Sequence, residues 1–151
     1  MKRMHKYFSY LILLIVFAGA AQTSMAQSGQ ELLEICTMDI TDLTYLKDFQ
    51  SKLDAAQPGE EKPVMRKTFM LKKGNQYRFK VCNSKDYPGE AILQVYDSNR
   101  LMGTTYNVAT GKSYDSIDIK CTKTGPYHIF LSYKEGEPGL SVAILYHVKV
   151  L

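Results

Sequence analysis

Over residues 64–151, apolar and polar positions alternate in short runs broken by turn formers. The runs are VMRKTFMLK, QYRFKVC, AILQVYD, LMGTTYN, SYDSIDIKC, PYHIFLSY and LSVAILYHVKVL. Between them stand Gly74-Asn75, NSKDYPG, Asp97-Ser98-Asn99-Arg100, Thr110-Gly111-Lys112, Thr124-Gly125 and Glu135-Gly136-Glu137-Pro138-Gly139, residues that favour turns for their backbone freedom or local hydrogen bonding. β-Branched and aromatic runs spaced roughly 10 to 15 residues apart predict an all-β fold. The expected architecture is an antiparallel, jelly-roll-like β-sandwich of about seven to eight strands, not a βαβ fold.

Because side chains alternate across a strand, each run also predicts its buried face. Tyr127, Ile129, Leu131 and Tyr133 form a core face, which turns His128, Phe130, Ser132 and Lys134 outward. Ile117, Ile119 and Cys121 share an inward face, whereas Cys82 lies with Arg78 and Lys80, opposite Tyr77, Phe79 and Val81. In the last run Leu140, Val142, Ile144, Tyr146, Val148 and Val150 alternate as a half-buried strand does, which puts His147 on the solvent side.

Residues 27–63 carry a mixed pattern. Leu32, Ile35, Cys36, Leu43, Leu46, Phe49 and Leu53 recur at helical steps, yet 48–54 alternates and fits a strand nearly as well. The expectation is a short N-terminal helix or extended arm, a first strand from about Asp48, and a loop over Pro58–Pro63. Together with 64–151 this makes one domain. Residues 1–26 read differently: Lys2, Arg3 and Lys6 precede an apolar core about a dozen residues long, short of the ~20 that span a bilayer. Ser24-Met25-Ala26 then ends a signal-peptide pattern, which predicts export to the periplasm, or secretion to the cell surface, and no transmembrane segment after cleavage.

Cleavage removes three basic groups and no acid, so the net charge falls from +4 to about +1. That leaves no basic footprint for nucleic acid. Cys36, Cys82 and Cys121 all follow the cleavage point, and an oxidising compartment favours one disulfide among them. Because Cys82 and Cys121 point to opposite sides of their strands, the expected pair is Cys36–Cys82, with Cys121 a buried thiol.

The chemistry-bearing residues form no recognisable catalytic pattern. His128 has no acid at strand spacing to orient it, and an inward Cys121 is an inert small hydrophobe more often than a nucleophile. Asp97-x-Asn99 falls short of a calcium loop, Glu60, Glu61, Glu135 and Glu137 lie in loops, and no cysteine–histidine spacing suits zinc. The expectation is a non-enzyme with no cofactor and no metal site. If 91–97 pairs with 101–107 so that partners sum to 197, then Ile92, Gln94, Tyr96, Leu101, Gly103 and Thr105 share an outer face. Three large apolar or aromatic residues there exceed what a solvated face needs. Either the N-terminal arm covers them, or Ile92, Tyr96 and Leu101 bind a partner.

YRFKVCNSKDYPGEAILQVYD and IDIKCTKTGPYHIFLSY resemble the β-sandwich domains of the pre-peptidase C-terminal type, and the whole chain resembles small single-domain secreted proteins of the Bacteroidetes. The resemblance covers about 64–151 and implies accessory work, with no catalytic domain expected beside the module. It also implies a possible O-glycosylation at Ser116, since Asp115-Ser116-Ile117 is similar to the short acceptor motif of these bacteria. The function expected is a non-catalytic binding or envelope-accessory protein docking an envelope protein. A carbohydrate-binding module stacking a glycan on Tyr87, Tyr96 or Tyr114 is the alternative, weakened by the absence of tryptophan.

Overall fold

The computed structural model describes residues 28–38 and 40–151. The signal-peptide expectation for 1–26 lies outside these residues. A helix, α1 (Gly29–Thr37), is followed by β1 (Thr44–Leu53), β2 (Met65–Leu71), β3 (Asn75–Asn83), β4 (Ala91–Asp97) and β5 (Arg100–Thr104). The two-residue strands β6 (Tyr106–Asn107) and β7 (Lys112–Ser113) form a small ribbon, and β8 (Ser116–Lys120), β9 (Gly125–Tyr133) and β10 (Gly139–Val150) return. Two four-stranded antiparallel sheets result, ordered β1-β10-β3-β8 and β2-β9-β4-β5.

That order is a jelly roll. The chain behaves as one long antiparallel ribbon pairing β1 with β10, β2 with β9, β3 with β8 and β4 with β5, wrapped so that alternate pairs fall in opposite sheets. The main core fills the space between. Phe79, Leu93, Val95, Tyr127, Ile129 and Leu131 are at most 1% exposed, so the inward faces expected for β3, β4 and β9 are the buried ones. Tyr133 ties the sheets together: its hydroxyl donates to the Ser51 carbonyl of β1 (2.8 Å) and lies 2.9 Å from Ser141 Oγ of β10. Its ring leaves no room beside Gly139, where a Cβ would stand 2.2 Å from a ring carbon.

The N-terminal segment resolves into both of its alternatives. Ser28 caps α1, its side chain accepting from the Glu31 amide at 3.1 Å, and the helix buries Leu32 and Cys36. Strand β1 then begins at Thr44, four residues ahead of the expected start, because pairing with β10 runs up to Thr44↔His147. Leu46 marks a β-bulge in that pairing. The helical steps therefore stop being helical after Cys36, and Leu46 is 45% exposed.

Strand β10 corrects the face expected for it. The residues facing the main core are Ala143 and Leu145, while Val142, Ile144 and Tyr146 pack under α1 as a second core with Leu32 and Cys36. Both faces of β10 are buried from Gly139 to Tyr146, so its apolar alternation marks the helix-covered face. His147 consequently turns inward at the end of the sandwich, half-buried, with Nε2 2.9 Å from Asn75 Oδ1 and its ring edge-on to Tyr77. It is not the solvent-facing residue the alternation implied.

Cys36 and Cys82 form the disulfide, and Cys121 is a free, buried thiol. The bridge pins the end of α1 to β3, where Lys80 Nζ also donates to the Cys36 carbonyl at 2.9 Å. Further along the same outer face, Arg78 grips Asp118 of β8 through two hydrogen bonds (2.6 and 2.9 Å). Asp118 also accepts from Gln76 at 2.9 Å. The arm therefore covers the β10–β3 sheet, not the Ile92–Tyr96–Leu101 face.

Candidate outer-face docking site

The outer face of β2-β9-β4-β5 is built from residues that strand pairing sets in rows. Tyr96 stands between His128 of β9 and Leu101 of β5, and His128 is paired in turn with Thr68 of β2. Gln94 stands between Phe130 and Thr104, with Arg66 beyond Phe130, and Ile92 pairs with Ser132. Side-chain contacts lock these rows together. The Tyr96 ring meets Phe130 edge-on at 5.2 Å, and the Arg66 guanidinium lies 5.5 Å from the centre of the Phe130 ring. Thr68 Oγ1 lies 3.0 Å from His128 Nδ1. Edge-to-face rings and a cation over a ring are favourable arrangements that also hold the aromatic surface in one orientation.

Tyr96 and Leu101 are direct partners, as the summed register requires. The rest of that register is corrected. A β-bulge opposite Val95 and Tyr96 inserts Met102, so the next pairs are Val95↔Gly103 and Gln94↔Thr104. The extra residue reverses the parity of β5 beyond Leu101. Gly103 and Thr105, expected on the outer face, turn inward. A Cβ on Gly103 would stand 2.9 Å from Ile119 Cδ1, and Thr105 is buried, its Oγ1 accepting from the Leu93 amide at 2.9 Å. Thr104 takes the outer position in their place. The outer face thus holds Ile92, Gln94, Tyr96, Leu101, Phe130 and Arg66. Phe130 and Arg66 were missed as part of it because their adjacency depends on β9 lying between β2 and β4.

The other candidates do not assemble. Cys121 lies in the main core, 1% exposed, with Sγ 3.2 Å from the Lys123 carbonyl oxygen and 3.4 Å from the Tyr127 hydroxyl. Burial first, and then its contact with that thiol, push the Tyr127 phenol above its ordinary range. His128 is on the opposite face of β9, so strand geometry separates it from Cys121. Tyr87 lies in the β3–β4 connection, with Lys52 Nζ 5.7 Å from its ring centre, and Tyr96 is the next-to-last residue of β4. Tyr114 lies in the β7–β8 connection, 45% exposed, with Lys112 Nζ 5.1 Å from its ring centre. Ser116 opens edge strand β8 opposite Lys80, half-buried on the face away from Ile117. Among the described residues no three His, Cys, Asp or Glu are grouped to hold a metal ion, and no helix is long and apolar enough to cross a membrane.

No family model and no curated protein matches the chain. Among solved structures it is similar to PliG of Aeromonas hydrophila, a periplasmic lysozyme inhibitor of g-type lysozyme. The match has a TM-score of 0.49 at 11% identity and covers 69% of this chain and 87% of that one. At that distance, what PliG inhibits remains a property of PliG.

Proposed function

We propose that this chain is an exported, non-catalytic binding protein that docks a protein of the cell envelope through the outer face centred on Ile92, Tyr96 and Leu101, flanked by Phe130 and Arg66. The observation that carries this reading is the placement of α1 on the opposite sheet, with Leu101 exposed and Ile92, Tyr96 and Phe130 half-buried on this one. The Cys36–Cys82 disulfide supports an oxidising compartment, periplasmic or extracellular. Docking would bury Tyr96 and Leu101 against apolar groups of the partner, and Arg66 would supply a polar margin. The pre-packed Tyr96–Phe130 pair lowers the ordering cost of association.

The test is capture of envelope proteins by the purified protein and by the Tyr96→Ala, Leu101→Ala double variant, scored partner by partner. A stoichiometric partner should be retained by the parent and weakened at least about tenfold in the variant, the loss of one central hot spot. Unaltered capture by the variant would sink the proposal.

A further inference from the structure

A groove of about 420 Å³ opens at one end of the sandwich, between the edge strands β1 and β2. Small-molecule sites typically span ~300–1,000 Å³, so the groove is large enough for a ligand of modest length. Its walls are Leu46, Phe69, Met70, Leu71 and Leu145, with Tyr77 and His147 behind them. The Phe49–Phe69 contact, at 5.8 Å between ring centres, closes the space between the edge strands further along the sandwich.

The charged groups are of one sign. Lys47 and Lys72 line the groove together with Asn75, Tyr77 and His147, and no aspartate or glutamate lines it. Lys47 reaches it because the β1 bulge at Leu46 pairs Lys47 with inward-facing Leu145, so its stem crosses the edge of the core and Nζ lies 5.9 Å from the centre of the Phe69 ring. The back wall is already held in place. The Lys72 amide donates to the Tyr77 hydroxyl at 3.1 Å. Asn75 Nδ2 donates to the Lys72 and Lys73 carbonyls, which turns Asn75 Oδ1 toward His147 Nε2, 2.9 Å away.

We propose that this groove binds a single-chain amphiphilic carboxylate, a medium-chain fatty acid, with its tail along Leu46, Phe69, Met70 and Leu145 and its head between Lys47 and Lys72. Charge complementarity selects the head: two lysines line an apolar groove without a carboxylate to neutralise them. A neutral or cationic amphiphile would gain the same apolar contact without the ion pairs. The groove lies between the edge strands, apart from the Tyr96 face, so its fate is independent of the docking proposal. An inward lysine and a bulge also guard an edge strand against pairing with another chain. A groove with only that role would show no preference for an anion.

Calorimetric titration of the purified protein with decanoate, and separately with decanol, tests the proposal. One-site saturable binding of decanoate is expected, about tenfold tighter than decanol, the scale set by two exposed ion pairs. The Lys47→Ala, Lys72→Ala variant should lose that advantage while keeping its decanol affinity. Leu46→Glu, Met70→Glu, which replaces two largely exposed groove residues, should abolish both. The absence of saturable decanoate binding would overturn the proposal. So would equal affinities for the two probes, or binding that survives the Glu variant.

Discussion

Replacing both Cys36 and Cys82 by alanine measures how the N-terminal helix is held. The bridge joins positions 46 residues apart, and closing a loop of that length in the unfolded chain corresponds to about 4 kcal/mol at 25 °C. Little else retains α1. At nine residues it is shorter than the ~12–15 at which an isolated helix becomes even marginal in water. Its remaining anchors are the Ser28 cap, worth about 1 kcal/mol, the Lys80 hydrogen bond to the Cys36 carbonyl, worth about 1.5–3 kcal/mol, and buried Leu32, worth about 2–3 kcal/mol against Val142, Ile144 and Tyr146. Ordering nine residues of backbone costs ~1–2 kcal/mol each, which exceeds those gains. The double variant should therefore lose about 4 kcal/mol in urea unfolding and also release α1 from the folded sandwich. Hydrogen exchange would report the release as lost protection of amides near the C-terminal end of α1. Dye binding would report exposure of the Val142–Ile144–Tyr146 face. A loss below about 1 kcal/mol, with the helix amides still protected, would refute the reasoning, since the helix would then be held by its own contacts.

Two further outcomes follow from single side chains. Tyr133→Phe removes the bond to the Ser51 carbonyl and the contact with Ser141 Oγ, both serines being fully buried, and should cost about 1–3 kcal/mol in urea unfolding at an unchanged slope; a change under about 0.5 kcal/mol would count against that link between the sheets. The hydrogen bond from Arg78 holds the Asp118 carboxyl below its ordinary range. A lowered folded-state pKa gives stability that is fully present above the unfolded value of about 3.9 and is lost as pH falls through the folded value. With both side chains about a third exposed, the contribution stays within about 1 kcal/mol. An NMR titration should find Asp118 below the usual aspartate midpoint, returning toward it in Arg78→Ala, and an unmoved midpoint would contradict the pairing.

Much of the fold was legible because strand periodicity is local. The turn residues divide the chain nearly where the strands divide, and the inward faces of β3, β4, β8 and β9 follow from alternation alone. The disulfide was legible for the same reason, since parity put Cys82 and Cys121 on opposite sides of their strands. Part of the outer face was legible too, because Tyr96 and Leu101 flank a short hairpin turn. What lay beyond that turn was not. A one-residue bulge leaves no mark in the alternation of LMGTTYN, yet it moves Gly103 and Thr105 to the core.

By itself, then, the sequence determined the elements, the turns between them, most buried faces and the cysteine partnership, because backbone conformation and side-chain parity are properties of neighbouring residues. Tertiary structure alone decided which sheet α1 covers, and hence that Val142, Ile144 and Tyr146 face a helix while Ala143 and Leu145 face the main core. It alone set Phe130 and Arg66 beside Tyr96, and it alone gathered Lys47, Lys72 and His147 around one apolar groove. Alternation says that a strand has two faces. What lies against each face depends on segments dozens of residues away, brought together only when the ribbon of strands wraps into its jelly roll.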